Sequence, residues 1–183
     1  MERSIHYISP ERLTYPIIEQ ILEERKLLAI SEESKALIQK SKAYLDRKIA
    51  ETDGPLYGIN TGFGALCNIE VSKDDLSKLQ ENLVISHSCN LGPEVPSDVV
   101  RLMLLLKAHA LAKGNSAVQL ITVQRIIDLY NNDILPIVCE QGSLGASGDL
   151  APLAKLFLPL IGMGEVYHKG IRKEAAVVLS EMG

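Results

Sequence analysis

Apolar positions recur along this chain at intervals of three and four, the spacing of one face of an α-helix. Ile17, Ile18, Ile21 and Leu22 form one such face, and Ser9-Pro10-Glu11 ahead of them reads as a cap with proline at the first helical position. Ser31-Glu32-Glu33 opens a second helix. Its acidic residues suit the positive end of the helix dipole, and Leu37, Ile38, Leu45 and Ile49 supply the apolar face. Ser72 and Asp75 resemble a capping box ahead of Leu76, Leu79, Leu83 and Val84. From Pro96-Ser97-Asp98 to Ala112 the chain is apolar nearly all round, which predicts a helix buried on most sides and ending at Gly114. Further helices are predicted from Ala117 to Tyr130, stopping at Asn131-Asn132, and from Asp149 to Leu160. Glu165 to Ile171 predicts a small hairpin turning at Lys169-Gly170, and Glu174 to Met182 returns to helical spacing. The predicted fold class is mainly α with a short C-terminal β-hairpin, and 183 residues suffice for one domain with its own core.

Composition narrows the function classes. A net charge of -4 gives no electrostatic footprint for nucleic acid. Aromatic residues make up 4% and tryptophan is absent, which argues against base-stacking or sugar-stacking surfaces. Cys67, Cys89 and Cys139 are far apart and form no CxxC pair, so neither a zinc site nor a redox dithiol is indicated. They read as free thiols of a reducing cytoplasm. No cluster of metal ligands stands out, and no metal is expected. Met1 to Pro10 carries charges without an apolar core, unlike a signal peptide. Val99 to Ala112 is interrupted by Arg101, Lys107 and His109 and is too short for a bilayer span of roughly 20 residues, so no membrane partner is expected.

Two segments break the helical rhythm: Gly54-Pro55-Leu56-Tyr57-Gly58-Ile59-Asn60-Thr61-Gly62-Phe63-Gly64 and Gln141-Gly142-Ser143-Leu144-Gly145-Ala146-Ser147-Gly148-Asp149-Leu150-Ala151-Pro152. Long irregular loops inside compact domains are costly and often functional. In the second loop the glycines free the backbone from the usual φ limits. Held in a compressed turn, this loop can undergo backbone chemistry. The amide nitrogen of Gly148 attacks the carbonyl carbon of Ala146, and loss of water closes a five-membered imidazolinone. Loss of a second water from Ser147 leaves an exocyclic methylene. The product, 4-methylideneimidazole-5-one, is an electrophile that needs no external cofactor. Such a loop can also be a phosphate cradle at a helix N-terminus, or a plain turn. Against the cradle, no lysine follows the glycines, no GxGxxG is present, and Asp149 would repel phosphate.

Gly142-Ser143-Leu144-Gly145-Ala146-Ser147-Gly148-Asp149-Leu150-Ala151-Pro152-Leu153 resembles the signature of the aromatic amino acid ammonia-lyase family. Tyr57-Gly58-Ile59-Asn60-Thr61-Gly62-Phe63-Gly64 resembles that family's other N-terminal motif, in matching order and separation. The resemblance covers essentially the whole chain. It implies that residues 1–183 are the N-terminal helical, electrophile-bearing domain of the ammonia-lyase (L-aspartase/fumarase-like) architecture, without its C-terminal helical bundle. Ala146, Ser147 and Gly148 would then become the ring. Tyr57 would act in acid–base chemistry at the substrate's β-carbon, a role in which the site must assist proton loss. Outside this motif the same tyrosine would read as a packing residue. Asn60 and the backbone amides of Thr61 to Gly64 would orient substrate or the ring's oxygen. Asp149 would assist ring closure through backbone groups, or cap the next helix.

Within this family, lyases acting on histidine tend to show Ser-His where this chain has Ser86-His87; those for phenylalanine carry apolar residues and those for tyrosine a His-Leu type pair. His87 can hydrogen-bond a substrate imidazole, and such a site strongly penalises an apolar ring. Away from this context it reads as a satisfied core histidine. The resemblance thus implies elimination of ammonia from L-histidine to trans-urocanate, the first step of histidine degradation, by a cytoplasmic homotetramer in which several subunits complete each site. A tyrosine or phenylalanine lyase or aminomutase is the alternative within the same chemistry. A non-catalytic remnant serving as an oligomerisation module is the alternative outside it. Asn90, His109, Ala117 and Gln119 depart from the commoner family pattern. Family members are much longer, and the chain stops at Gly183 with a helix just begun, which reads as a fragment. Alone, it is expected to be inactive.

Overall fold

The computed structural model describes residues 3–182 except 53, 143 and 147. It divides into two compact units, the first made of Met1–Arg47, Pro96–Leu135 and Tyr167–Arg172, the second of Lys48–Val95, Pro136–Val166 and Lys173–Gly183.

In the first unit, strands β1 (Ile5–Ile8) and β2 (Leu27–Ile30) run parallel and are joined through helix α1 (Tyr15–Glu23). Most of α2 (Glu32–Glu51), with α4 (Ser97–Ala112) and α5 (Leu120–Asn131), completes the unit; α4 packs on α5 and β1, and α5 on β2. Ile8, Ile21, Leu104, Leu105, Ile126 and Ile127 are at most 1% exposed and form its core. The α2 start agrees with its sequence signal. Ser31 Oγ accepts the Ser34 N–H at 3.2 Å, and Glu32 and Glu33 occupy the first turn. In α4, Val100, Leu104, Leu105, Ala108, Leu111 and Ala112 are buried, while Val99 and Leu106 are exposed.

Three local features differ from the sequence reading. The strands β1 and β2 escape it because four residues are too few for a clear period. Helix α1 begins at Tyr15, with Thr14 as its cap and Pro16 in the first turn, where the missing N–H costs no helical bond. Pro10 therefore precedes the helix. Helix α5 begins at Leu120 because Ala117 adopts a left-handed φ of 48° and donates its N–H to Ser41 Oγ at 3.1 Å. An alanine there carries a penalty of roughly 1 kcal/mol that a glycine avoids. His109, on α4, has its pKa lowered by burial first, then by Lys113 and His6; it is held neutral as a packing residue.

The C-terminus of α5 carries a side-chain splice. Asn131 Oδ1 accepts the Leu28 N–H at 2.8 Å, and Asn131 Nδ2 donates to the Leu28 carbonyl at 2.9 Å. The amide thus pairs with β2 as a further strand would. Asn131→Ala is expected to destabilise folding by about 2 kcal/mol, the sum of two ordinary net hydrogen bonds. Denaturant unfolding of the wild type and variant measures this; an unchanged midpoint would show the splice to be idle.

The second unit holds both glycine-rich loops. Its elements are α3 (Leu76–His87), β3 (Leu91–Glu94), β5 (Cys139–Gln141), β6 (Leu144–Gly145), β7 (Gly148–Asp149), α6 (Ala151–Phe157) and α7 (Ala175–Met182). Helix α6 continues as a 3-10 turn over Leu158–Ile161, so the helix predicted to reach Leu160 changes its winding after Phe157. Val138, Leu156, Val166 and Val178 are fully buried here. The remaining strands, β4 (Ile134–Pro136), β8 (Glu165–His168) and β9 (Ile171–Glu174), form a sheet in the order β4-β8-β9. The predicted hairpin is present: Lys169 and Gly170 both have positive φ, 53° and 77°, as a tight two-residue turn demands. Among the described residues no helix is long and apolar enough to cross a membrane.

Candidate active site

The first loop builds itself from internal hydrogen bonds. Asn60 Oδ1 accepts the Leu56 N–H at 2.6 Å, and its Nδ2 donates to the Gly54 carbonyl at 3.1 Å and to Glu70 Oε1 at 2.9 Å. The Asn60 carbonyl accepts the Val71 N–H at 2.7 Å. Thr61 is fully buried; its Oγ1 accepts the Gly58 N–H at 3.2 Å and donates to the Gly62 carbonyl at 3.1 Å. Asn60 therefore shapes the loop with the same amide that the sequence suggests for substrate binding. A 3-10 turn over Gly64–Leu66 follows, with Gly64 at a φ of 55°.

This loop lies along α3. The Tyr57 and Phe63 ring centroids are 5.7 Å apart, and Phe63 meets His87 edge to face at 5.6 Å. Phe63 thus stands between two residues that the sequence singles out separately. Its own part was missed, although it is one of only two phenylalanines in the chain and sits inside the motif. Tyr57 is 66% exposed.

His87 ends α3, and its Nδ1 lies 2.7 Å from the Leu83 carbonyl oxygen. A carbonyl only accepts, so Nδ1 carries the proton there. In the neutral ring Nε2 is then the lone-pair acceptor left for a partner. Ser86 Oγ donates to the same carbonyl at 3.2 Å. The Leu83 carbonyl thus fixes the ring's tautomer as well as its position.

The second loop is tied to α3 from both sides. Before it, β5 pairs antiparallel with β3, the strand that follows α3, through Leu91 with Gln141 and Glu94 with Cys139. Asn90, buried, reinforces that pairing by donating Nδ2 to the Cys139 carbonyl at 2.7 Å. After it, α6 packs on α3. Within the loop, β6 and β7 pair Leu144 with Asp149 and Gly145 with Gly148. Ala146 is exposed in the turn between them, Gly148 has a φ of 96°, and Ser147 lies outside the described residues.

Gly142 accounts for the position of Asp149. A Cβ added at Gly142 would fall into the Asp149 carboxylate, 2.5 Å from its Cγ. The carboxylate occupies the space that a side chain would fill, and its Oδ1 accepts the Ala151 N–H at 3.3 Å, at the start of α6. Among the described residues no group of three histidine, cysteine, aspartate or glutamate side chains could hold a metal ion.

The family model described as aromatic amino acid lyase matches residues 13–183. A histidine ammonia-lyase of Myxococcus xanthus is 40% identical over 183 residues, covering 100% of this chain and 36% of its own length. The crystal structure of a tyrosine aminomutase from Streptomyces globisporus aligns with a TM-score of 0.86 at 39% identity, over 96% of this chain and 32% of that one. That of a histidine ammonia-lyase from Trypanosoma cruzi aligns with a TM-score of 0.85 at 31% identity, over 98% and 35%. The chain spans about a third of the length of the curated relatives it matches. With the family match running through both glycine-rich loops and the mainly α fold shared with solved relatives, this chain belongs to the aromatic amino acid lyase family.

Proposed function

We propose that the complete protein is a histidine ammonia-lyase, converting L-histidine to trans-urocanate and ammonia, and that residues 1–183 form its electrophile-bearing N-terminal domain. The 4-methylideneimidazole-5-one ring would arise from Ala146, Ser147 and Gly148. When formed, it supplies the electrophile that turns the substrate's amine into a leaving group. The chain's own residues do the rest. Tyr57 moves the β-proton through its hydroxyl. His87 accepts a substrate ring N–H at Nε2. Asn60 and the amides around Gly64 shape the floor on which the substrate lies. Asp149 supports ring closure from beside Gly142. The complete protein is read as a cytoplasmic homotetramer, in keeping with cysteines that are free among the described residues and with exposed apolar side chains such as Leu66, Ile69 and Leu91.

The observation that favours a substrate ring with a donor over a phenyl ring is the His87 tautomer, with Nδ1 spent on Leu83 and Nε2 left to accept. A phenylalanine ring has nothing to donate to it. In a family-length protein, His87→Leu is expected to lower kcat/KM for L-histidine by about 100-fold, near the upper range for one lost buried hydrogen bond. Preference should shift toward phenylalanine. Steady-state kinetics on the three aromatic amino acids measure this, and an unaltered preference for histidine would remove His87 from the selectivity role. The tyrosine aminomutase similarity favours a second reading, in which the same ring and Tyr57 rearrange a substrate. Stoichiometric release of ammonia separates the two.

A further inference from the structure

The internal bonds of the first loop set its shape but not where that shape sits. Among the described residues, Asn60 and Thr61 bond within residues 54–71. Among the described residues, the polar bonds joining this loop to α3 come from Gln80. Its Nε2 donates to the Gly58 carbonyl at 3.2 Å and to the Ile59 carbonyl at 3.0 Å. Two carbonyl oxygens facing one amide leave no choice of orientation, since only the NH2 end can satisfy both. The two peptides held, Gly58–Ile59 and Ile59–Asn60, are the second and third after the Tyr57 Cα.

Gln80, Val84 and His87 follow one another on one stripe of α3, spaced by four and three residues. Gln80 and His87 are thus about 10 Å apart along the helix. The loop touches this stripe at both ends, through the Gly58 and Ile59 carbonyls at Gln80 and through the Phe63 ring at His87. At the first contact, Gly58 turns the chain at a φ of 69°, and a Cβ there would meet Phe63 Cε1 at 2.9 Å. One attachment would leave the loop free to swing about it. Two attachments fix the origin of the Tyr57 side chain relative to His87.

We propose that Gln80 is a positioning residue for the Tyr57 hydroxyl, setting its place relative to His87 without touching the substrate. This rests on the reading of Tyr57 as the acid–base group. The experiment is a double-mutant cycle in a family-length protein with Tyr57→Phe, Gln80→Met and the two combined. Gln80→Glu serves as a second donor-free variant of native shape. Both Gln80 variants are expected to lower kcat about ten- to a hundredfold, because small misplacements of a catalytic group are that costly. KM should stay within about twofold, as expected when ground-state binding is spared. The ring's ultraviolet absorbance should be unchanged. In the Tyr57→Phe background, Gln80→Met should cost nothing further, because no hydroxyl remains to be aimed. Losses that multiply in the double variant, or full kcat in both Gln80 variants, would overturn the positioning role and leave Tyr57 untouched. Full turnover in Tyr57→Phe would remove the acid–base reading and the proposal with it.

Discussion

Ser147→Ala in a family-length protein is expected to lower turnover by about three orders of magnitude or more, some 4 kcal/mol of barrier. The argument is one of atoms. Ring closure between the Gly148 nitrogen and the Ala146 carbonyl releases one water, and the second comes from the serine hydroxyl. An alanine has no hydroxyl to lose, so no exocyclic methylene forms and the electrophilic carbon never exists. Intact mass reads the chemistry directly. The wild type should weigh two waters less than its encoded sequence, and the variant one water less at most. The absorbance of the conjugated ring should vanish with the methylene. Near-normal turnover by the variant, or a wild type at full encoded mass that still releases ammonia from histidine, would refute the assigned chemistry.

Gly142→Ala is expected to do comparable damage from outside the reacting tripeptide. The new methyl would lie within the Asp149 carboxylate, which is itself held by the Ala151 N–H. Overpacking of this kind typically costs about 1–3 kcal/mol. Here the strain falls on the short β6-β7 pairing that folds the turn. The expected product is a folded protein at full encoded mass, with the tripeptide still linear and turnover reduced as in Ser147→Ala. The double variant Gly142→Ala/Asp149→Ala separates two readings of the aspartate. Recovery of the two-water deficit means that space alone was at issue. Persistent full mass means that the carboxylate takes part in ring closure. A Gly142→Ala protein with complete ring content would show that Asp149 can move at no cost.

These expectations draw unequally on the sequence and on the fold. The motif residues Tyr57, His87 and Ala146 to Gly148 could be picked out from their neighbours along the chain. So could the Ser31 cap, the α4 face and the Lys169-Gly170 turn, because each depends on contacts a few residues away. The parallel pair β1 and β2 could not, since neither four-residue strand carries a period long enough to recognise. The late start of α5 was hidden for another reason: Ala117 is left-handed and bonded to Ser41, a residue 76 positions earlier.

The candidate site repeats that division. Its motifs were legible because a motif is a particular order of residue types, and order is what a sequence records. Its arrangement was not. Phe63 against His87, Gln80 on the Gly58 and Ile59 carbonyls, and the pairing of β3 with β5 that ties the second glycine-rich loop to α3 all join residues far apart in the chain. Local conformational preference acts over a turn or two of backbone, whereas these contacts form only when burial of apolar faces brings distant segments together.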